Sequence, residues 1–317
     1  MHFMQQTLQL RKVRDLGEKI SDSFLFLKRN FKGLVSTYFV FVVPFIILAV
    51  VVSIFFAGRL YSAVVSKAYD FQISDIFGFE FLIILLCLVM AYASYNTAIY
   101  SYFSLYDEQK GVKPTMQQVG QLYFKNVFRV LGYNIAVGFI LILIAIIPYL
   151  IVMFIPLLGF IGQMLLSILF NAIMATMTNM YIREGVGISG ATSRLFDLFR
   201  DKWWHVIGFN LVNYLIYYVF AGVLVFIGVM IFMVASLNMT TNPFTEDSVL
   251  TTGKISVYAI AIGVLFLIMQ LFELIVLSGA AINYYSLCEE KDGTAIEEMI
   301  DAIGENTDKY GGVEEQY

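Results

Sequence analysis

Between Arg129 and Arg183 runs VLGYNIAVGFILILIAIIPYLIVMFIPLLGFIGQMLLSILFNAIMATMTNMYI (Val130–Ile182), without a single charged side chain. One membrane crossing needs about 20 apolar residues. This stretch is long enough for two, with a turn near Pro156, Leu157, Leu158 and Gly159. A water-soluble domain has no reason to keep so many consecutive residues uncharged, so the centre of the chain reads as a transmembrane helical hairpin.

Composition extends that reading to the whole chain. Hydrophobic residues make up 59% and charged residues 14%, against about 45–50% and about 25% in soluble domains. One membrane bundle accounts for most of the length. The start, MHFMQQTLQLRKVRD, lacks the apolar core and cleavage site of a signal peptide, so the first crossing is expected to act as the insertion signal. Cys87 and Cys288 sit in or beside different apolar runs, which argues against a disulfide.

Further crossings are expected at about 35–57, 79–104, 206–236 and 255–285, giving six in all. Residues 7–34 form an amphipathic helix. Val13, Leu16, Ile20, Phe24, Leu27, Phe31 and Leu34 recur at helical spacing, with basic residues between them. It reads as a helix lying on an anionic membrane surface; the alternative is a helix packed on another. Lysine and arginine placement is lopsided. The expected N-terminal segment, the loops 2–3 and 4–5, and the tail hold 17 of the 20, and the other side holds Arg59, Lys67 and Lys254. The positive-inside rule then places both termini in the cytoplasm, with the chain integral to the cytoplasmic (inner) membrane.

Three stretches share a register: LKRNFKGL from Leu27, FKNVFRVL from Phe124 and FRDKWWHV from Phe199. Lys28, Lys125 and Arg200 are each followed three residues on by Phe31, Phe128 and Trp203, and Trp204 follows Trp203. These seven are the expected membrane-surface contacts, with anionic lipid headgroups as partner. The exits YFSLYDEQKG (Tyr102–Gly111), TNMYIREGVG (Thr178–Gly187) and YYSLCEEKDG (Tyr284–Gly293) also align. The expected fold is therefore an all-α polytopic membrane protein, one domain over 1–293. Its six transmembrane helices form three parallel repeats (about 8–111, 114–187 and 188–293), each an interfacial amphipathic helix plus a transmembrane hairpin. A short amphipathic helix at 294–304, opened by the Thr294–Glu297 capping box, precedes a disordered acidic tail at 305–317. That tail is a candidate contact for a protein partner.

Glu273 is the one acidic residue deep inside a crossing, with Gln270 one turn away. Ionisable groups there are costly and point to a functional site. Two readings stand: a functional polar site of Glu273, Gln270, Asn171 and Gln163, or a protonated carboxyl bonded to a neighbouring helix through Asn171 or Gln163. Asn96, Asn134, Gln163, Asn171, Asn210 and Asn213 read as interhelical hydrogen-bonding amides, the alternative being that they line a polar cavity. With two histidines, His2 and His205, and two distant cysteines, no zinc site, cofactor or catalytic residue is expected. No phosphate loop, HExxH or serine elbow occurs, and the basic faces adjoin crossings, which argues against nucleic acid.

RDLGEKISDSFLFLKRNFKGL, FRDKWWHVIGFN and YYSLCEEKDGTAIEEMIDAIG give the chain a layout that resembles uncharacterised six-pass bacterial membrane proteins. These include the membrane domain preceding some glycerophosphodiester phosphodiesterases. The catalytic domain of those enzymes has no counterpart here. The expected function is therefore a non-enzymatic integral membrane protein that organises or assists a partner or lipids. The alternative is a transporter or lipid-handling protein with a polar cavity near Glu273.

Overall fold

The computed structural model describes residues 8–66, 77–240 and 248–293. The expected helix at 294–304, the acidic tail and His2 lie outside them. Among the described residues all regular structure is helical. The elements are α1 (Leu16–Phe41), α2 (Val43–Ser66), α3 (Phe79–Glu108), α4 (Met116–Phe154), α5 (Pro156–Arg183), α6 (Ile188–Phe199), α7 (Trp203–Thr240) and α8 (Ser248–Asp292). Six of them, α2, α3, α4, α5, α7 and α8, are long and apolar enough to cross a membrane.

Local chemistry sets the boundaries. Asp15 caps α1 in a reciprocal box with Glu18, and Thr115 does the same for α4 with Gln118. The first crossing begins later than its hydropathy suggests. Pro44 has no N–H to continue α1 and its ring crowds the preceding turn, so the chain breaks at Val42 and Pro44 becomes the second residue of α2. The second amphipathic stretch is not a separate helix. No breaker interrupts it, and α4 runs on through the crossing for 39 residues, about 58 Å at 1.5 Å per residue. The third stretch is divided: α6 ends at Phe199, Asp201 adopts φ 62°, and Trp203 opens α7.

The exits of α3, α5 and α8 gather at one end of the molecule, joined by the ion pairs described below. Each turns on a left-handed glycine: Gly111 (φ 92°), Gly185 (φ 67°) and Gly293 (φ 65°). In the middle exit the turn falls at Gly185, two residues before the glycine that aligns in sequence. α3, α5 and α8 touch one another, and their halves nearest this charged end form the core. Tyr95, Tyr100, Tyr102, Phe103, Tyr284 and Tyr285 are buried there. The far halves are different. Along α4, α5 and α7 the apolar residues from Phe139 to Leu165 and from Leu215 to Val234 are mostly exposed.

Much of the expected apolar stripe faces outward, not into the protein. Val13, just before α1, and Leu16, Phe24 and Phe31 on it are exposed, while Lys19, Ser23, Phe26 and Asn30 are buried. Of that stripe only Ile20, Leu27 and Leu34 reach partial or full burial.

Candidate functional site

Two polar assemblies stand out. The first fastens the charged end. Asp107, near the end of α3, accepts from Arg183 of α5 at 2.8 Å and from Arg11 at 3.1 Å. Tyr284 of α8 donates its hydroxyl to Glu184 at 2.7 Å. Arg194 of α6 pairs with Asp292, and Lys202 pairs with Glu290 at 2.5 Å. Residues 8–15 lie across these exits. The Arg14 guanidinium, wholly buried, donates to the Leu10 carbonyl (2.7 Å), the Lys12 carbonyl (2.9 Å), the Gln9 carbonyl and Asp22 (2.7 Å). The Arg14 backbone N–H donates to Ser286 Oγ at 3.1 Å. Charge-assisted bonds of this kind are about twice as strong as neutral ones. Lys19 reaches Asn283 Oδ1 at 2.9 Å and is buried, which lowers its pKa by desolvation, with Glu290 opposing the shift.

The second assembly lies within the crossings. Glu273 and Asn171, two of the four expected polar-site residues, line one small cavity of about 20 Å³. The same cavity is lined by Tyr92, Asn96 and Tyr100 of α3 and by Asn210 and Tyr214 of α7. Spacings of four place 92, 96 and 100, and likewise 210 and 214, on one helical face. The volume admits about one water. Glu273 is half-buried and has no hydrogen bond or ion pair among the described residues. The Tyr100 hydroxyl, on a residue 1% exposed, also lacks a hydrogen-bond partner there.

Gln270 joins this region through its main chain: its carbonyl accepts from Tyr95 Oη at 2.6 Å, as the Leu267 carbonyl does from Tyr38 Oη at 3.1 Å. Gln163 is not among the lining residues. It sits eight positions before Asn171, about 12 Å along the helix, with its Oε1 buried and without a partner among the described residues.

Asn96, Asn171 and Asn210 line the cavity, as the alternative reading of the amides had it, while the interhelical reading fails at their side-chain nitrogens. Asn96 donates its side-chain nitrogen to the Tyr92 carbonyl (2.9 Å), Asn171 to Ser167 (2.8 Å) and Asn210 to Val206 (2.8 Å), each within its own helix. Four residues back is the nearest carbonyl along the same face. Asn213 is the exception, donating to the Val276 carbonyl of α8 at 3.1 Å. Asn134 is buried with neither side-chain atom partnered among the described residues.

Of the seven expected surface residues, six stand on the protein surface. Lys28, Phe31, Lys125, Phe128, Arg200 and Trp204 are exposed, with Trp204 at 83%. Trp203 turns inward, its ring 5.1 Å from that of Phe199. Both cysteines are free. Among the described residues no three His, Cys, Asp or Glu side chains gather as metal ligands.

Sequence reasoning missed Arg11, Arg14 and the Asp107–Arg183 bridge. One signal was present: Asp107 and Arg183 occupy the same column of the aligned exits, with opposite charge. The recurrence of Asn with Tyr four residues on, at Asn96–Tyr100 and Asn210–Tyr214, pointed to the cavity. No family model matches the chain, and no curated protein or solved structure is significantly similar to it.

Proposed function

We propose that this is a non-enzymatic integral protein of the cytoplasmic membrane, with both termini cytoplasmic, that organises lipids and through them assists a protein partner. One observation carries the reading: basic and aromatic side chains stand exposed together on the protein surface, as Lys28 with Phe31, Lys125 with Phe128, and Arg200 with Trp204. Lysine and arginine there attract anionic headgroups, while the rings sit at headgroup depth. The outward apolar stripe of α1 supports the same reading. Two apolar grooves in the far half support acyl-chain contact. One of about 470 Å³ lies between α2, α3 and α8, and one of about 300 Å³ lies between α7 and α8.

Within this proposal the six crossings descend from three parallel repeats, and the chain belongs with the six-pass group it resembles. The convergence of the three glycine-turned exits favours the repeats. The continuous α4 is then a copy in which the interfacial helix has fused with its crossing. The acidic tail is the proposed protein contact.

The test is lipid retention. The protein extracted gently and analysed by native mass spectrometry should keep anionic lipid in preference to zwitterionic lipid. The triple charge reversal Lys28→Glu, Lys125→Glu, Arg200→Glu should lose that preference. Equal retention of both lipid classes by the unaltered protein would overturn the reading.

A second reading, a transporter, draws on the polar groups gathered at Glu273. A cavity of about 20 Å³ is too small for an organic solute, which narrows that reading to an ion.

A further inference from the structure

Glu273 presents an electrostatic problem that its surroundings answer only in part. An ionised carboxylate in a low-dielectric interior is very costly unless something neutralises it. None of the residues lining its cavity is Lys, Arg or His. The ionisable groups facing it are all tyrosines: Tyr92 and Tyr100 from α3 and Tyr214 from α7 in the lining, with Tyr38 of α1, Tyr95 of α3 and Tyr217 of α7 in electrostatic reach. α5 contributes Asn171 and no charge to the lining. The neutralising charge therefore comes from a proton or from a small cation.

The lining favours the cation. Asn96, Asn171 and Asn210 each commit the side-chain nitrogen to a carbonyl of their own helix. That fixes the amide plane and presents the oxygen as an acceptor. Tyr100 adds a buried hydroxyl oxygen without a hydrogen-bond partner among the described residues. Hard cations take oxygen ligands of this kind. The cavity has room for one water-sized particle, so the ion enters dehydrated. A single carboxylate sets the charge at one.

We infer that Glu273, with Asn96, Asn171, Asn210 and Tyr100, forms an intramembrane site for one small dehydrated monovalent cation, which competes with a proton for the carboxylate. This goes beyond the lipid reading and does not depend on it: the site is built from four helices at the centre, the lipid contacts from the rim.

The experiment uses the full-length protein in nanodiscs and an apolar carbodiimide, which reacts with protonated carboxyls inside a membrane. The labelled residue is identified by mass spectrometry. At fixed pH and ionic strength, sodium should slow labelling of Glu273, by about tenfold when its concentration is about ten times its dissociation constant. Choline, far larger than the cavity, should not. Sodium should also raise the thermal unfolding midpoint relative to choline, and Glu273→Gln and Asn210→Ala should abolish or weaken that rise. Should Glu273→Gln fail to fold, labelling of the unaltered protein still decides. Labelling equally fast in sodium and choline would overturn the inference and leave Glu273 a proton-only group. A sodium-specific thermal shift that survives in folded Glu273→Gln would also overturn it.

Discussion

Asp107 at the end of α3 holds Arg183 at the end of α5 through contacts of 2.8 and 3.0 Å. The same Oδ2 atom takes Arg11 at 3.1 Å. One carboxylate thus links two core helices and the N-terminal segment. Its side chain is 8% exposed, the arginines 29% and 22%. Removing one partner of a fully buried pair costs about 3–5 kcal/mol, and the partial exposure here reduces that. Asp107→Asn is expected to destabilise the protein by about 1–3 kcal/mol. Thermal unfolding in nanodiscs checks this; an unchanged midpoint would show that the bridge contributes nothing.

Gly279 of α8 lies under Asn213 of α7. A Cβ built on Gly279 meets Asn213 Nδ2 at 2.3 Å and Cγ at 2.8 Å, so even alanine must push Asn213 from the Val276 carbonyl. Gly279→Ala is expected to destabilise by about 1–3 kcal/mol. Combining it with Asn213→Ala should cost less than the two changes summed, because the clash vanishes. Strict additivity in this double-mutant cycle would refute the contact.

Lys19 gives a pH dependence with a definite sign. Its folded-state pKa is lowered from 10.5, chiefly by desolvation. The unfolded state therefore binds more protons between the folded value and 10.5. Burying the charge is a penalty at neutral pH that is relieved as pH rises through the folded pKa. The stability of the unaltered protein relative to Lys19→Met should increase from about pH 7 to about pH 10. A difference constant with pH would place the amino group in a solvent-like environment.

The two tryptophans allow a direct depth measurement. Trp204 is 83% exposed, and Trp203 packs on Phe199. Lipids brominated near the headgroup should quench the fluorescence, and Trp204→Phe should remove most of that quenching. Quenching that persists in Trp204→Phe and disappears in Trp203→Phe would mean the two rings are misassigned.

The uncharged run from Val130 to Ile182 made α4 and α5 legible, because periodicity and the absence of charge survive any tertiary arrangement. Glu273 was legible as an anomaly for the same reason. The partners gathered around it were not. Asn96, Asn171 and Asn210 lie on three different helices, and spacing along a chain says nothing about which faces meet. Segment 8–15 was opaque for another reason. Its hold comes from Arg14 bonding successive carbonyls of an extended loop, which leaves no periodic trace. The outward stripe on α1 was legible, but the buried face opposite it, with Lys19, Ser23 and Asn30, was not, since polar residues at helical spacing read as solvated.

The amides that bond within their own helices bear on biogenesis. A segment whose Asn nitrogen is already satisfied can leave the insertion machinery alone, before any neighbour arrives. Asn96, Asn171 and Asn210 all have this self-sufficiency. Glu273 does not, and it is carried by α8, which follows α3, α5 and α7 along the chain. When that carboxyl reaches the bilayer, the three asparagines that receive it have already been made.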